Sequence, residues 1–396
     1  MPKFESKTIL EMKRTLIAAA AVLAFMSIPH DMDAQQKRMR DWCGFGPGVM
    51  KTGQYNAITD VPGVKVGQVT LRRTDDMRTG VTAIIPHDGN LFQLKTPAAA
   101  YVGNGFGKLA GTTQIMELGN IETPVILTNT LNVAEGISGV VEWTLAQPGN
   151  ENVRSVNAVV GETNDGGLNN IRARYVTRED VIQAIESAKG GPVEEGCVGA
   201  GSGTVAFGVK GGIGTSSRVL PQSMGGYTVG VIVQSNYGGV LEIDGVPIGQ
   251  MTQNYSYRSR IIADVDGSCM IVVATDAPVD ARNLERMAKR AIMGLAKTGG
   301  IASNGSGDYV IAMSVCPENL IDDSKKFYTP TLLHNDDMSA LFMATIEATE
   351  EALWDSLFCA EDTVGMNGKT VKALDKQLAA DALKKARKAS GLDRKK

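Results

Sequence analysis

Asp264-Val265-Asp266-Gly267-Ser268-Cys269-Met270-Ile271-Val272-Val273-Ala274-Thr275-Asp276-Ala277-Pro278 is a polar turn running straight into a hydrophobic strand, with Ser268 at the seam. Breaking the Gly267–Ser268 peptide bond makes Ser268 a new amino terminus, with a hydroxyl and a free α-amine on one residue. An α-amine titrates near about 7.7 to 8.0, so at neutral pH a useful fraction can accept the hydroxyl proton, and one residue supplies both nucleophile and base. Gly267 suits the preceding position because it lacks Cβ and leaves its carbonyl open to attack. Taken alone, Asp-Gly-Ser also has an ordinary reading, a turn before a strand.

The other polar clusters of the chain repeat this placement. Glu162 and Asn164 follow the strand-like run Val156–Val160, Asn236 follows Tyr227–Gln234, and Ser306 with Asp308 precedes Tyr309–Ser314. Strand ends can converge in space, and rigid scaffolds present their chemistry there. Asn, Asp, Ser and Gly also end strands with no function at all.

Histidine chemistry has little to draw on. His30, His87 and His334 show no metal spacing, and no Gly-x-Ser-x-Gly surrounds Ser268. Cys43, Cys197, Cys269, Cys316 and Cys359 include no C-x-x-C pair, which points to neither a zinc site nor a disulfide framework. Cys269, inside the strand, reads as a small buried hydrophobe. Without a usable histidine base, a terminal amine is the base this sequence offers.

The surrounding chain is ordinary for a globular protein. Its 396 residues are 43% hydrophobic and 21% charged, with 45 glycines that indicate many tight turns. The net charge is −3, but seven basic residues and one acid between Lys384 and Lys396 leave −9 on the remainder, which disfavours nucleic-acid binding. Lys13-Arg14 followed by the 13-residue apolar run Leu16–Ile28 reads as a signal peptide over residues 1–34, too short to span a bilayer. The mature protein is therefore expected to be exported, periplasmic or secreted, with no stable membrane association after signal cleavage.

Further elements follow from periodicity. Asn132–Ala146 carries apolar residues at helical spacing weakened by Gly136 and Gly139, and Arg178–Lys189 is a helix with a Thr177/Asp180 capping box. Leu284–Leu295 and a stretch starting near Asp336-Asp337 are amphipathic helices. The glycine-rich block Gly196–Arg218 lacks a Walker ending and reads as a hairpin or packed loops, not a phosphate cradle. Strands and helices in mixed order indicate a layered α+β or α/β architecture.

Five stretches together carry a resemblance: Asn56–Val64, Leu127–Val133, Val160–Thr163, Phe207–Arg218, and Gly267-Ser268 with Ile271–Pro278. In this combination and order the chain resembles the DmpA-like family of self-processing aminopeptidases, which includes L-aminopeptidase/D-esterases and β-peptidyl aminopeptidases. The resemblance implies an α+β fold, an αββα four-layer sandwich made as one precursor and cut before Ser268 into an α chain (35–267) and a β chain (268–396) of a single domain. It implies Ser268 as nucleophile, Ser306 and Asp308 as its supports, Asn236 as oxyanion donor, and Glu162, Asn164 and Asn132 on the substrate side. Glu162 would receive the substrate's free amine.

Asn164 departs from relatives that carry an aromatic hydroxyl there. The implied substrate is a small peptide, amide or ester. No metal or organic cofactor is implied, and the implied assembly is a homo-oligomer of αβ heterodimers, a tetramer by expectation. An ornithine-acetyltransferase-like acyltransferase would be expected to carry Thr at the scission, and a non-catalytic binding protein of the same fold would remain uncut.

Overall fold

The computed structural model describes residues 36–255 and 267–392. The proposed signal peptide, the Asp264–Asp266 turn and the last four residues of the basic tail lie outside the described residues. The frame consists of strands β1 (Lys65–Leu71), β2 (Thr79–Ile85), β3 (Leu94–Gly105), β4 (Leu109–Ala110), β5 (Val125–Asn129), β6 (Val159–Thr163), β7 (Gly212–Val219), β8 (Thr228–Asn236), β9 (Ser268–Thr275) and β10 (Gly307–Ser314). Its main helices are α1 (Val133–Leu145), α2 (Arg178–Glu186), α3 (Ala281–Lys297) and α4 (Ser339–Phe358).

Two sheets stack face to face. The first has the order β1-β2-β5-β6-β4 and the second β7-β8-β9-β10-β3, with the short strands Asn120–Ile121 and Ile321–Asp322 also pairing to β3. Pairing is antiparallel except for β5 with β6 and β9 with β10. Side chains alternate across a strand, so β9 serves two cores at once. Met270, Val272 and Ala274 meet Ile84, Val125 and Leu127 between the sheets. Cys269, Ile271 and Val273 face Leu284, Met287 and Ala288 of α3 and Leu341 of α4. On the far side of the first sheet, Val81, Ala83 and Ile126 pack against Val140 of α1 and Val181 and Ala184 of α2. The layers therefore run α, β, β, α, as the resemblance implied.

Local chemistry explains most element boundaries. Thr177 Oγ1 accepts from Asp180 N at 3.2 Å while the Asp180 carboxylate accepts from Thr177 N at 2.9 Å, the reciprocal capping box that starts α2. Gly136 and Gly139, which weaken the helix on propensity, let α1 sit close to its neighbours. A methyl group on Gly136 would come within 2.7 Å of Val160, and one on Gly139 within 2.8 Å of the Arg178 carbonyl.

The structure differs from the sequence reading in several places: Asn236 and Asp308, read as flanking their strands, lie within β8 and β10, and α2 ends at Glu186 rather than Lys189. The Val156–Val160 strand is shifted: β6 runs from Val159 to Thr163, so Glu162 lies inside the strand rather than after it. The glycine-rich block is a hairpin only in its first part, where Val205–Ala206 pairs with Val209–Lys210; its second part is β7, a full member of the second sheet. There the backbone of α4 runs so near that a Cβ on Gly214 would be 1.9 Å from the Ala352 carbonyl oxygen. The 12-residue β3 was not anticipated, because its Pro97 and alanine-rich middle hide a strand whose neighbours, rather than its own propensity, hold it in place.

Candidate active site

Ser268 is the first residue of β9, and the sheet register gives it two neighbours. Asn236, the last residue of β8, is its antiparallel partner, and Gly307, the first residue of β10, is its parallel partner. Three strand ends therefore meet at one point, and Ser306 and Asp308 arrive with β10. Ser268 shares the phase of Met270, so its side chain is directed toward the space between the sheets. Gly161 of β6 lies against Met270, where a methyl group would come within 2.3 Å of the thioether methyl. The Glu162 end of β6 is thus brought near the Ser268 end of β9.

The Ser268 hydroxyl donates to the Gly267 carbonyl oxygen at 2.5 Å. The Gly307 amide donates to that same oxygen at 3.2 Å and to Ser268 Oγ at 3.3 Å. Nucleophile and electrophile of the Gly267–Ser268 bond therefore share one backbone donor. Gly307 was not singled out in the sequence, although it stands between two residues that were. A side chain there would press on the Phe106 carbonyl oxygen at 2.6 Å and the Tyr309 ring at 2.9 Å.

Ser306 donates to Asp308 Oδ1 at 2.8 Å, and neither residue bonds directly to Ser268 Oγ among the described residues. Asp308 is 1% exposed and its Oδ2 has no hydrogen-bond partner among the described residues. Burial pushes its carboxyl up to about 6 against the opposing pull of the Ser306 hydroxyl. The loop ahead of Ser306 is fixed by Asn104 Nδ2, which donates to the Ser303 carbonyl at 2.8 Å and the Ser306 carbonyl at 2.5 Å. Burial drives the Cys269 thiol far above its ordinary range, consistent with an inert core residue.

Asn236 is oriented by its acceptor end. Val205 N donates to Asn236 Oδ1 at 2.9 Å, which fixes the amide so that Nδ2 is the remaining donor. Glu162 is oriented likewise. Its Oε1 accepts from Lys108 N at 3.0 Å and lies 3.4 Å from Lys108 Nζ, while Oε2 takes no hydrogen bond among the described residues. Lys108 belongs to the Phe106-Gly107-Lys108 connection that passes from β3 in one sheet to β4 in the other.

The remaining candidates make other bonds. Asn164 is exposed and turns its Oδ1 back to Gly166 N at 2.9 Å, closing its own loop. Asn132 is fully buried ahead of α1 and donates to the Val176 carbonyl at 2.9 Å, a role in holding the loop before α2. His87 contacts the carbonyls of Asp88 and Leu94, and exposed His334 pairs with Asp336. All five cysteines are unpaired, and no group of three or more metal-binding side chains occurs among the described residues. No helix of the described residues is long and apolar enough to cross a membrane.

The chain is similar to known proteins over most of its length. The model of peptidase family S58 matches residues 56–371. A β-peptidyl aminopeptidase, BapA, of Sphingosinicella microcystinivorans is 37% identical over 393 residues, covering 93% of this chain and 97% of that protein. Among solved structures, a Burkholderia sp. β-aminopeptidase superposes with a TM-score of 0.80 at 36% identity, covering 88% of this chain and 99% of that one. The L-aminopeptidase D-Ala-esterase/amidase of Ochrobactrum anthropi, described as a prototype of the serine aminopeptidases and a variant of the Ntn hydrolase fold, gives 0.80 at 33% identity, with coverages of 89% and 99%. With its fold, its matched span and its relatives in agreement, the chain belongs to peptidase family S58.

Proposed function

We propose that Ser268 performs two acyl transfers in succession, first on its own chain and then on substrate. The observation that carries this reading is the contact of the Ser268 hydroxyl with the Gly267 carbonyl under the Gly307 amide. In the first reaction Ser268 Oγ attacks the Gly267 carbonyl carbon, and the Gly307 N–H stabilises the developing oxyanion. The C–N bond breaks, the hydroxyl proton passes to the departing nitrogen, and water hydrolyses the resulting ester. The products are an α chain ending at Gly267 and a β chain beginning with the free amine of Ser268.

The processed protein is a serine aminopeptidase that releases amino-terminal residues from small peptides, amides or esters. The Ser268 amine takes the Oγ proton, Oγ attacks the substrate carbonyl, and Asn236 Nδ2 donates to the oxyanion. The leaving amine takes up the proton, and water then releases the acyl group from Oγ. Ser306 and Asp308 form a polar pair beside the nucleophile, and Glu162 Oε2 receives the substrate ammonium. The experiment is hydrolysis of an amino-acid amide beside its N-acetylated form. Turnover of the free amine alone supports the reading, and equal turnover of both removes Glu162 from it.

Two wider proposals rest on sequence. The apolar run Leu16–Ile28 supports export, with residues 1–34 removed, and amino-terminal sequencing of the mature protein tests it. A homo-oligomer of αβ heterodimers, a tetramer, is the proposed assembly, tested by light scattering of the processed protein.

A further inference from the structure

An ammonium group carried out of water brings three N–H donors, and each one left without an acceptor weakens binding. Glu162 by itself cannot satisfy them. Its Oε1 is already taken by the Lys108 amide and faces the Lys108 ammonium, so only Oε2 remains open. A second acceptor has to stand close by.

Tyr309 supplies one. The residue is 4% exposed, and its hydroxyl makes no hydrogen bond among the described residues, which leaves the oxygen open as an acceptor. Its position in β10 explains where the ring goes. Tyr309 shares the inter-sheet phase of Ile311 and Met313, and its ring lies against Gly307, where an added Cβ would be 2.9 Å from Cε2. The hydroxyl then lies toward Gly107. A methyl group on Gly107 would come within 2.8 Å of Glu162 Oε1 and 3.3 Å of the Tyr309 oxygen, so the carboxylate and the phenol border the same space at Gly107. An ammonium group held by the Glu162 carboxylate in that space has the Tyr309 oxygen as a neighbouring acceptor. Glycine at 107 keeps the space open, because any side chain would fill it. Burial, with Glu162 and then Asp308 nearby, raises the Tyr309 phenol above its ordinary value, so it is present as a neutral hydroxyl.

We propose that the Tyr309 hydroxyl is the second acceptor of the substrate's ammonium group, so that Glu162 and Tyr309 together recognise the free amine. The proposal rests on the reading of Glu162 as the ammonium site and extends it to a residue of the β chain. Two reactions at one nucleophile separate it from other roles. Self-cleavage attacks the Gly267 carbonyl and brings no ammonium to this position, whereas peptide turnover does.

The test is Tyr309→Phe, which removes one oxygen and keeps the ring. Three quantities are compared with wild type: the self-cleavage rate, kcat and KM for an amino-acid amide, and the inhibition constant of a simple alkylammonium ion. The expected result is unchanged self-cleavage, kcat within about twofold, and KM and the inhibition constant each raised about tenfold, as for one hydrogen bond to a charged group. Unchanged KM and inhibition constant overturn the proposal, as does a loss of self-cleavage that parallels the loss of turnover. Glu162→Gln is measured alongside. If it too leaves KM unchanged, the ammonium site itself has been misplaced; if it raises KM while Tyr309→Phe does not, only the role of Tyr309 fails.

Discussion

The Gly307 amide donates to the Gly267 carbonyl oxygen at 3.2 Å, so the parallel partner of Ser268 polarises the bond that Ser268 is placed to cut. Gly307→Ala would press a methyl group on the Phe106 carbonyl and the Tyr309 ring and displace this donor. Loss of one oxyanion donor costs roughly a hundredfold to a thousandfold in rate, and a displaced donor costs part of that. Self-cleavage of the variant is expected to slow at least about tenfold, followed as the fraction of cut chain over time after refolding.

Asp308 links activity to pH. Its carboxyl is raised from 3.8 to about 6 by burial, so the native protein binds this proton more tightly than the unfolded chain does. The stability it contributes is fully present below about 3.8 and is lost as pH rises through about 6. Asp308→Asn is therefore expected to raise the unfolding free energy at pH 7.5 by roughly 1 to 3 kcal/mol, with the gain shrinking toward pH 4, measured by denaturant titration at both values. The Ser268 amine already sets an acid limb near its own titration; if the ionised carboxylate also supports the nucleophile, wild-type kcat falls more steeply below about pH 6, and the Asn variant keeps only the amine's limb and loses most of its activity.

Lys210 reaches the oxyanion donor through a hairpin. Its fully buried ammonium donates to the carbonyls of Gly201 and Gly211 at 2.8 and 2.7 Å, and its ladder partner Val205 holds Asn236 Oδ1. Lys210→Met leaves the hairpin without this clamp. Expected is a loss of about tenfold or more in kcat with KM nearly unchanged, and no further loss when Asn236→Ala is already present. Additive losses in the double variant would separate Lys210 from Asn236.

Arg218 joins the two proposed chains. It is fully buried in β7, with Nε 3.0 Å from Glu347 and an Nη 2.7 Å from Glu351, both in α4. Removing one partner of a buried ion group leaves uncompensated charge and costs roughly 3 to 5 kcal/mol. Arg218→Met is expected to lower the thermal midpoint and reduce co-purification of the two chains after cleavage, measured by calorimetry and by affinity capture of a tagged α chain.

Much of this arrangement was legible in the sequence, for identifiable reasons. The run after Ser268 is apolar on both faces, so it reads as a fully buried strand, and β9 does lie between two cores. Polar residues at the ends of the β8 and β10 strands could be picked out because β8 is rich in β-branched residues and β10 carries the apolar run Tyr309–Met313. Their meeting at one point depends on register, which local sequence does not state. Glu162 was assigned to the wrong side of a strand end because Gly161 reads as a terminator, whereas here glycine makes room for Met270. Gly307, Asn104, Lys108 and Val205 contribute backbone groups or hold other residues in place, and their residue types announce none of that. Asn132 and Asn164 were named from the resemblance, and the bonds their side chains make, to the Val176 carbonyl and from Gly166 N, are set by loop geometry that the sequence does not state.

The central claim is that Ser268 cuts its own chain, and intact-mass spectrometry of purified wild type beside Ser268→Ala tests it most directly. The account predicts two chains in the wild type, the smaller beginning at Ser268, and a single uncut chain in the variant. A wild-type chain that stays intact under folding conditions, or a variant that is still cut before residue 268, would contradict it.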